Sequence, residues 1–149
     1  MPDDKAYLFT DGASKGNPGP AGAGFVLTDP HGGIIAQRAI PLGETTVGVA
    51  EYRALIAGLS EAHARGITHL QVYTDSEFMA RQMQGVYKVR TPAIKPLFLW
   101  AIKLRAHFTA FKIEHVHREF NDVADKLATE GARQSMNAPP PSNGRRAKP

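Results

Sequence analysis

The sequence predicts an α/β fold, a mixed five-stranded sheet with helices on both faces. Three observations predict it. Two short apolar runs, 25–29 and 34–42, are separated by Pro30-His31-Gly32-Gly33, the composition of a tight hairpin turn. Two later β-type runs each follow a segment of helical periodicity, and such right-handed crossovers set strands parallel. At 149 residues, with 42% hydrophobic and 21% charged residues, the chain has enough apolar content for one domain with one core.

The elements follow in order. Residues 5–11 (KAYLFTD) form a first strand, with Tyr7 and Phe9 aromatic and Leu8 apolar. Residues 12–24 hold five glycines and two prolines and read as a turn-rich loop. Strands over 25–29 and 34–42 complete an antiparallel meander. Tyr52, Leu55, Ile56, Leu59 and Ala62 share one face of a helix over 49–65, which Gly66 stops at its C′ position. Residues 70–74 (LQVYT) form the fourth strand, and Ser76 caps a helix reaching Gln84. A loop over 85–92 leads to a helix over 93–108, with Leu97, Trp100, Ala101 and Leu104 inward and Pro96 tolerated in its first turn. The fifth strand covers 110–117. Asn121 then caps a last helix whose Val123, Leu127 and Ala128 face the core. Residues 1–134 are expected to be the folded domain. Residues 135–149 (SMNAPPPSNGRRAKP) read as a disordered Pro-rich basic tail.

Composition narrows the function. The chain has no cysteine, so disulfides and thiolate metal sites are excluded and any metal must bind Asp, Glu or His. No window approaches the roughly 18–20 unbroken apolar residues of a membrane span. The polar N-terminus does not read as a secretory signal, and the expected location is the cytoplasm. The net charge of +4 owes three positive charges to Arg145, Arg146 and Lys148. Residues 1–134 are nearly balanced, yet 78–113 contain no Asp or Glu while carrying Arg81, Lys88, Arg90, Lys95, Lys103, Arg105 and Lys112. Such a one-signed stretch suits a polyanionic partner.

Four acids stand out once mapped on the elements. Asp11 ends the first strand and Asp75 the fourth, and ligands in sheets of this kind sit beyond the carboxyl ends of parallel strands. Glu51 lies in the first turn of the helix after the meander, and Asp125 about one turn into the last helix. Taken singly, a strand-end Asp is a turn former and a first-turn Glu complements the helix dipole. Four at one sheet edge repel one another unless hard divalent cations, which take oxygen ligands and substrate phosphates, hold them together.

The residues around these acids resemble those of type 1 ribonuclease H. Thr10-Asp11-Gly12-Ala13-Ser14-Lys15-Gly16-Asn17-Pro18-Gly19 resembles the family's first motif, Ala50-Glu51-Tyr52-Arg53-Ala54-Leu55 its second, and Thr74-Asp75-Ser76 its third. Arg118-Glu119-Phe120-Asn121 followed by Ala124-Asp125-Lys126-Leu127-Ala128 resembles its fourth. The resemblance implies the ribonuclease H-like fold and hydrolysis of the RNA strand of an RNA–DNA hybrid, leaving 5′-phosphate and 3′-hydroxyl ends. It further implies two Mg²⁺ ions, with Mn²⁺ as a substitute. Asp11 would be shared by both, Glu51 and Asp75 would complete one, and Asp125 the other. Beside the acids, Gly12, Ala13 and Asn17 are expected to meet the RNA 2′-hydroxyls, Thr46 a DNA-strand phosphate, and Arg118 a phosphate. No obligate protein partner is evident, and a monomer is expected.

The chain departs from the family pattern in four places. Val47 and Gly48 stand where many members carry two asparagines. Glu77 replaces the usual glutamine after Asp-Ser. The long basic lobe of many bacterial members is missing, as in the shorter subgroup of archaea and some bacteria. The loop before the last helix is short, which leaves His117 as the candidate for the family's proton-shuttling histidine. Three rival readings follow from the same residues. The first is a catalytically silent nucleic-acid-binding module. The second is an actin-like phosphotransferase, which would need a second such domain. The third is a nuclease that also cleaves double-stranded RNA.

Overall fold

The computed structural model describes residues 4–137. Five strands, β1 (Lys5–Ser14), β2 (Gly19–Thr28), β3 (Ile34–Thr45), β4 (His69–Thr74) and β5 (Ala110–His115), form one sheet in the order β3-β2-β1-β4-β5. β1, β2 and β3 pair antiparallel, and β4 and β5 join parallel to β1, as the crossover rule requires. The helices are α1 (Val47–Ala64), α2 (Glu77–Met83), α3 (Lys95–Arg105) and α4 (Asp122–Asn137), and Arg118–Phe120 forms a 3-10 turn before α4.

Strand alternation divides the core. Leu8, Phe25, Leu27 and Val72 are fully buried with Leu55 and Leu59 of α1, and Met79 and Met83 of α2 close the same cluster. Each fully buried side chain of this size contributes about 1.5–3 kcal/mol. All five residues assigned to the inner face of α1 are buried. Gly66 has φ +79° and donates its N–H to the His63 carbonyl, the left-handed stop expected after this helix. In the hairpin, Asp29 Oδ1 accepts N–H bonds from His31 and Gly33.

Several expectations require correction. The glycine-rich segment is mostly strand: β1 runs on through Ser14 and β2 starts at Gly19. Its glycines are packing residues. A Cβ on Gly22 would lie 2.2 Å from Ala132 N, and one on Gly24 2.4 Å from Ala128 N, so their lack of side chains lets α4 lie directly on β2. Helix α1 begins at Val47, two residues early, which moves Glu51 out of the first turn. Trp100 is 46% exposed, with the Arg53 guanidinium 5.9 Å from its ring centre, because Leu97 and Ala101 define the inner face of α3. Val123 is exposed too; α4 buries Ala124, Ala128, Gly131 and Ala132 instead. α4 continues to Asn137, past the expected boundary at 134. Ser135 anchors it by donating to the Ala21 carbonyl and accepting from the N–H groups of Leu42 and Gly43. The rest of the expected tail, 138–149, lies outside the described residues.

Candidate active site

Each element delivers one acid to the same edge. Asp11, expected to end the first strand, lies within β1; Thr10 pairs with Thr74 on β4, so Asp11 stands beside Asp75, the first residue past the end of β4. The turn bearing Asp75 is pinned by Ser76 N–H donating to Thr74 Oγ1 (3.0 Å) and Val116 N–H donating to the Thr74 carbonyl (2.8 Å). Ser76 caps α2 by accepting from Met79 N–H, as expected. α1 reaches the edge because Gly12 has no side chain: a Cβ there would sit 2.3 Å from Glu51 N. The glycine of the first motif thus sets the approach of Glu51 to Asp11. α4 brings Asp125 to the other side of Asp11, and both line a cleft of about 270 Å³ with Ser14, Lys15, Arg118 and Thr129.

Asp11, Glu51 and Asp75 each place a carboxylate oxygen so that all three lie within 4.8 Å of one another. Burial and the charges of Asp75 and Asp125 push the Asp11 carboxyl up to about 9. Burial pushes Glu51 up to about 7, with Asp75 adding to the rise and the Ser76 hydroxyl and Arg118 opposing it. Arg118 Nε donates to Asp75 Oδ2 at 3.2 Å. Its side chain is 78% exposed over a carboxylate that is 7% exposed. Three hard oxygen donors this crowded, two of them (Asp11 and Glu51) costly to ionise without a counter-charge, fit a divalent cation.

The residues expected to touch substrate surround this cluster. Thr46 is the N-cap of α1, its hydroxyl accepting from Val49 N–H. Asn17 Oδ1 accepts from Val47 N–H at 3.0 Å, so the loop and the start of α1 are tied together. Ala13 lines the same cleft as Asp11. His117 is exposed, its ring 6.1 Å from that of His115. Glu77 is exposed on α2 and pairs with Arg81 at 3.6 Å. Of the acid-free stretch, Arg105 donates to the Met83 carbonyl and Lys112 pairs with Glu114. Lys88 and Arg90 line a cleft with exposed Phe78 and Tyr87.

The family profile described as reverse transcriptase-like matches residues 9–131. A ribonuclease HI of Haemophilus ducreyi is 31% identical over 140 residues, spanning 84% of this chain and 88% of its own. The chain belongs to the ribonuclease H family. A bifunctional protein of Mycobacterium tuberculosis is 41% identical over 127 residues, 85% of this chain, and the chain spans only 35% of that protein's length. The LC11 ribonuclease H1 solved in complex with an RNA/DNA hybrid superposes with a TM-score of 0.83 at 38% identity, covering 88% of this chain and 99% of that one.

Within a ribonuclease H frame, one residue of the fourth motif takes a role that the motif reading did not assign. Asn121, expected as a helix cap, turns its amide inward and donates to the Thr10 carbonyl at 2.8 Å. Its backbone carbonyl, rather than its side chain, accepts from Asp125 N–H. The sequence signal was an amide four residues before an acid, which capping chemistry explained equally well.

Proposed function

We propose that this chain is an endoribonuclease that hydrolyses the RNA strand of RNA–DNA hybrids, leaving 5′-phosphate and 3′-hydroxyl ends. The observation that carries this reading is the convergence of Asp11, Glu51 and Asp75 within 4.8 Å, with Asp125 bordering Asp11. In this reading Asp11 would be shared by two Mg²⁺ ions, Glu51 and Asp75 would complete one and Asp125 the other, and Mn²⁺, with the same preference for oxygen donors, would substitute. Two bound cations would supply charge neutralisation at phosphorus, activation of the attacking water and stabilisation of the leaving oxygen.

The chain's own groups do the rest. Arg118, exposed beside Asp75, has guanidinium donors beyond its bond to Asp75 that no other acceptor among the described residues is seen to take, and these would meet a phosphate and offset charge in the transition state. The Thr46 hydroxyl accepts from Val49, which leaves its own proton for a DNA-strand phosphate at the start of α1. Asn17 holds Val47 through Oδ1, which leaves its Nδ2 donors for a 2′-hydroxyl, with the Gly12 and Ala13 backbone alongside. The hybrid held by the LC11 relative supports the choice of substrate. No helix among the described residues is long and apolar enough to cross a membrane; in the reading proposed, the protein is a cytoplasmic monomer.

One gel panel tests the proposal: RNA–DNA hybrid, double-stranded RNA, single-stranded RNA and double-stranded DNA, each with Mg²⁺, Mn²⁺ or chelator. Cleavage confined to the hybrid and abolished by chelator is expected. Asp75→Asn is expected to stop cleavage while hybrid binding persists. Chelator-resistant cleavage, or undiminished activity in D75N, would overturn the mechanism. Equal cleavage of double-stranded RNA would widen the substrate class.

A further inference from the structure

The segment that joins β5 to α4 carries Arg118 and leads to Asp125, yet it has almost nothing holding it to the core. From residue 117 to 123 every residue is exposed except Asn121, which is 1% exposed. Asn121 makes three ties. Its Nδ2 donates to the carbonyl of Thr10, the residue before Asp11. Its backbone N–H donates to the Arg118 carbonyl at 2.8 Å, and its carbonyl accepts from Asp125 N–H at 3.0 Å. One buried residue therefore connects the backbone at three of the site's charged groups. Its Oδ1 is buried with no hydrogen-bond partner among the described residues. Burying an amide whose acceptor is unmatched costs stability, and an apolar residue of similar size would avoid that cost. A role for the amide beyond packing accounts for the choice.

We propose that Asn121 is a positioning residue: its amide fixes the start of α4 against β1 and so sets where Asp125 and Arg118 stand relative to Asp11. The inference extends the nuclease reading, but its geometry depends only on the carboxylates. The donor matters because the Thr10 carbonyl belongs to the residue just before Asp11 within β1, so the bond ties the start of the helix that bears Asp125 to the backbone beside Asp11. Groups that orient ligands without touching the ion typically alter metal affinity by about 10–100-fold.

The test uses the full chain with Asn121→Ala and the milder Asn121→Ser, and as a control Phe108→Ala, a core change in the hydrophobic cluster remote from the carboxylates. Mg²⁺ binding to the nucleic-acid-free protein is measured by calorimetry, with kcat and KM on hybrid and Tm alongside. The expected outcome is a loss of Mg²⁺ affinity of about 10-fold or more in N121A, a lower kcat that recovers in part at high Mg²⁺, and an intermediate N121S. The control is expected to lose Tm but keep Mg²⁺ affinity. Unchanged Mg²⁺ affinity and kcat in N121A, or an equal loss in the Phe108 control at matched Tm, overturns the proposal. If the parent chain binds Mg²⁺ but leaves hybrid intact, the nuclease reading fails while the Asn121 result still stands on the binding data.

Discussion

At the scale of single residues, the site is a balance of like charges. Asp11 is the most burdened of them, because it is buried and faces Asp75 and Asp125. Its folded carboxyl is raised from 3.8 to about 9, so the folded state holds that proton more tightly than the unfolded chain. The stabilising contribution is full below about pH 3.8 and is lost as pH rises toward 9. Asp11→Asn removes the charge and keeps the shape. In metal-free buffer at pH 8 the variant is expected to be more stable than the parent by at least about 1 kcal/mol, a few degrees in Tm for a domain of this size, while hybrid cleavage disappears. A lower Tm for D11N in thermal melts with chelator would show that Asp11 is not under electrostatic load.

At the scale of elements, the glycines and alanines between α4 and β2 set the site's dimensions. Ala124, Ala128 and Ala132 meet Gly22 and Gly24 with no side chain between the two backbones, and Ser135 locks the far end of the helix. Asp125 rides on that helix, so its height above the sheet is fixed by backbone contact. Gly24→Ala would place a methyl 2.4 Å from Ala128 N and 2.6 Å from the Ala124 carbonyl, and neither backbone atom can step aside. A destabilisation of about 3 kcal/mol is expected from such overpacking, read as a lower urea midpoint, together with a cleavage rate reduced beyond what the unfolded fraction explains. A G24A midpoint equal to the parent's would mean that α4 is held by other contacts. By the same logic Gly12 lets α1 come close enough to seat Glu51.

At the scale of the whole molecule, the two halves of the sheet do different work. The meander β1–β3 carries α4 and the loop around Asn17, and the parallel half carries Asp75 and the basic residues before β5. The site forms where the halves join, at β1 and β4. Divalent cations should therefore couple to global stability, since they relieve repulsion between elements from both halves. Protons compete for the same oxygens, with Glu51 raised to about 7 and Asp11 to about 9. The gain in Tm on adding Mg²⁺ is expected to be small at pH 5.5 and to grow through pH 8.5, as measured by differential scanning calorimetry. A gain independent of pH would place the bound ions away from these carboxylates.

The sequence by itself determined the order of elements along the chain, the inner face of α1, the Ser76 cap of α2, the turn at Pro30–Gly33 and the four acids, because each is written in local periodicity, turn chemistry or motif spacing. The parallel sense of β4 and β5 also followed from the crossover rule, whereas their places in the sheet, β4 beside β1 and β5 at the edge, came from the tertiary structure. The tertiary structure decided what local signals cannot encode. Gly12, Gly22 and Gly24 look like loop formers in a row of glycines, and only the approach of α1 and α4 shows them to be strand residues whose missing side chains admit a helix. Trp100 and Val123 satisfy helical spacing as well as Ala101 and Ala124 do, and the partner surface alone selects between them. Asn121 bonds to a carbonyl 111 positions away, a separation at which no sequence pattern can tell a cap from a tie. The identity of the four carboxylates was thus a local property, while the closeness of Asp11, Glu51 and Asp75 depended on backbones brought together from distant parts of the chain.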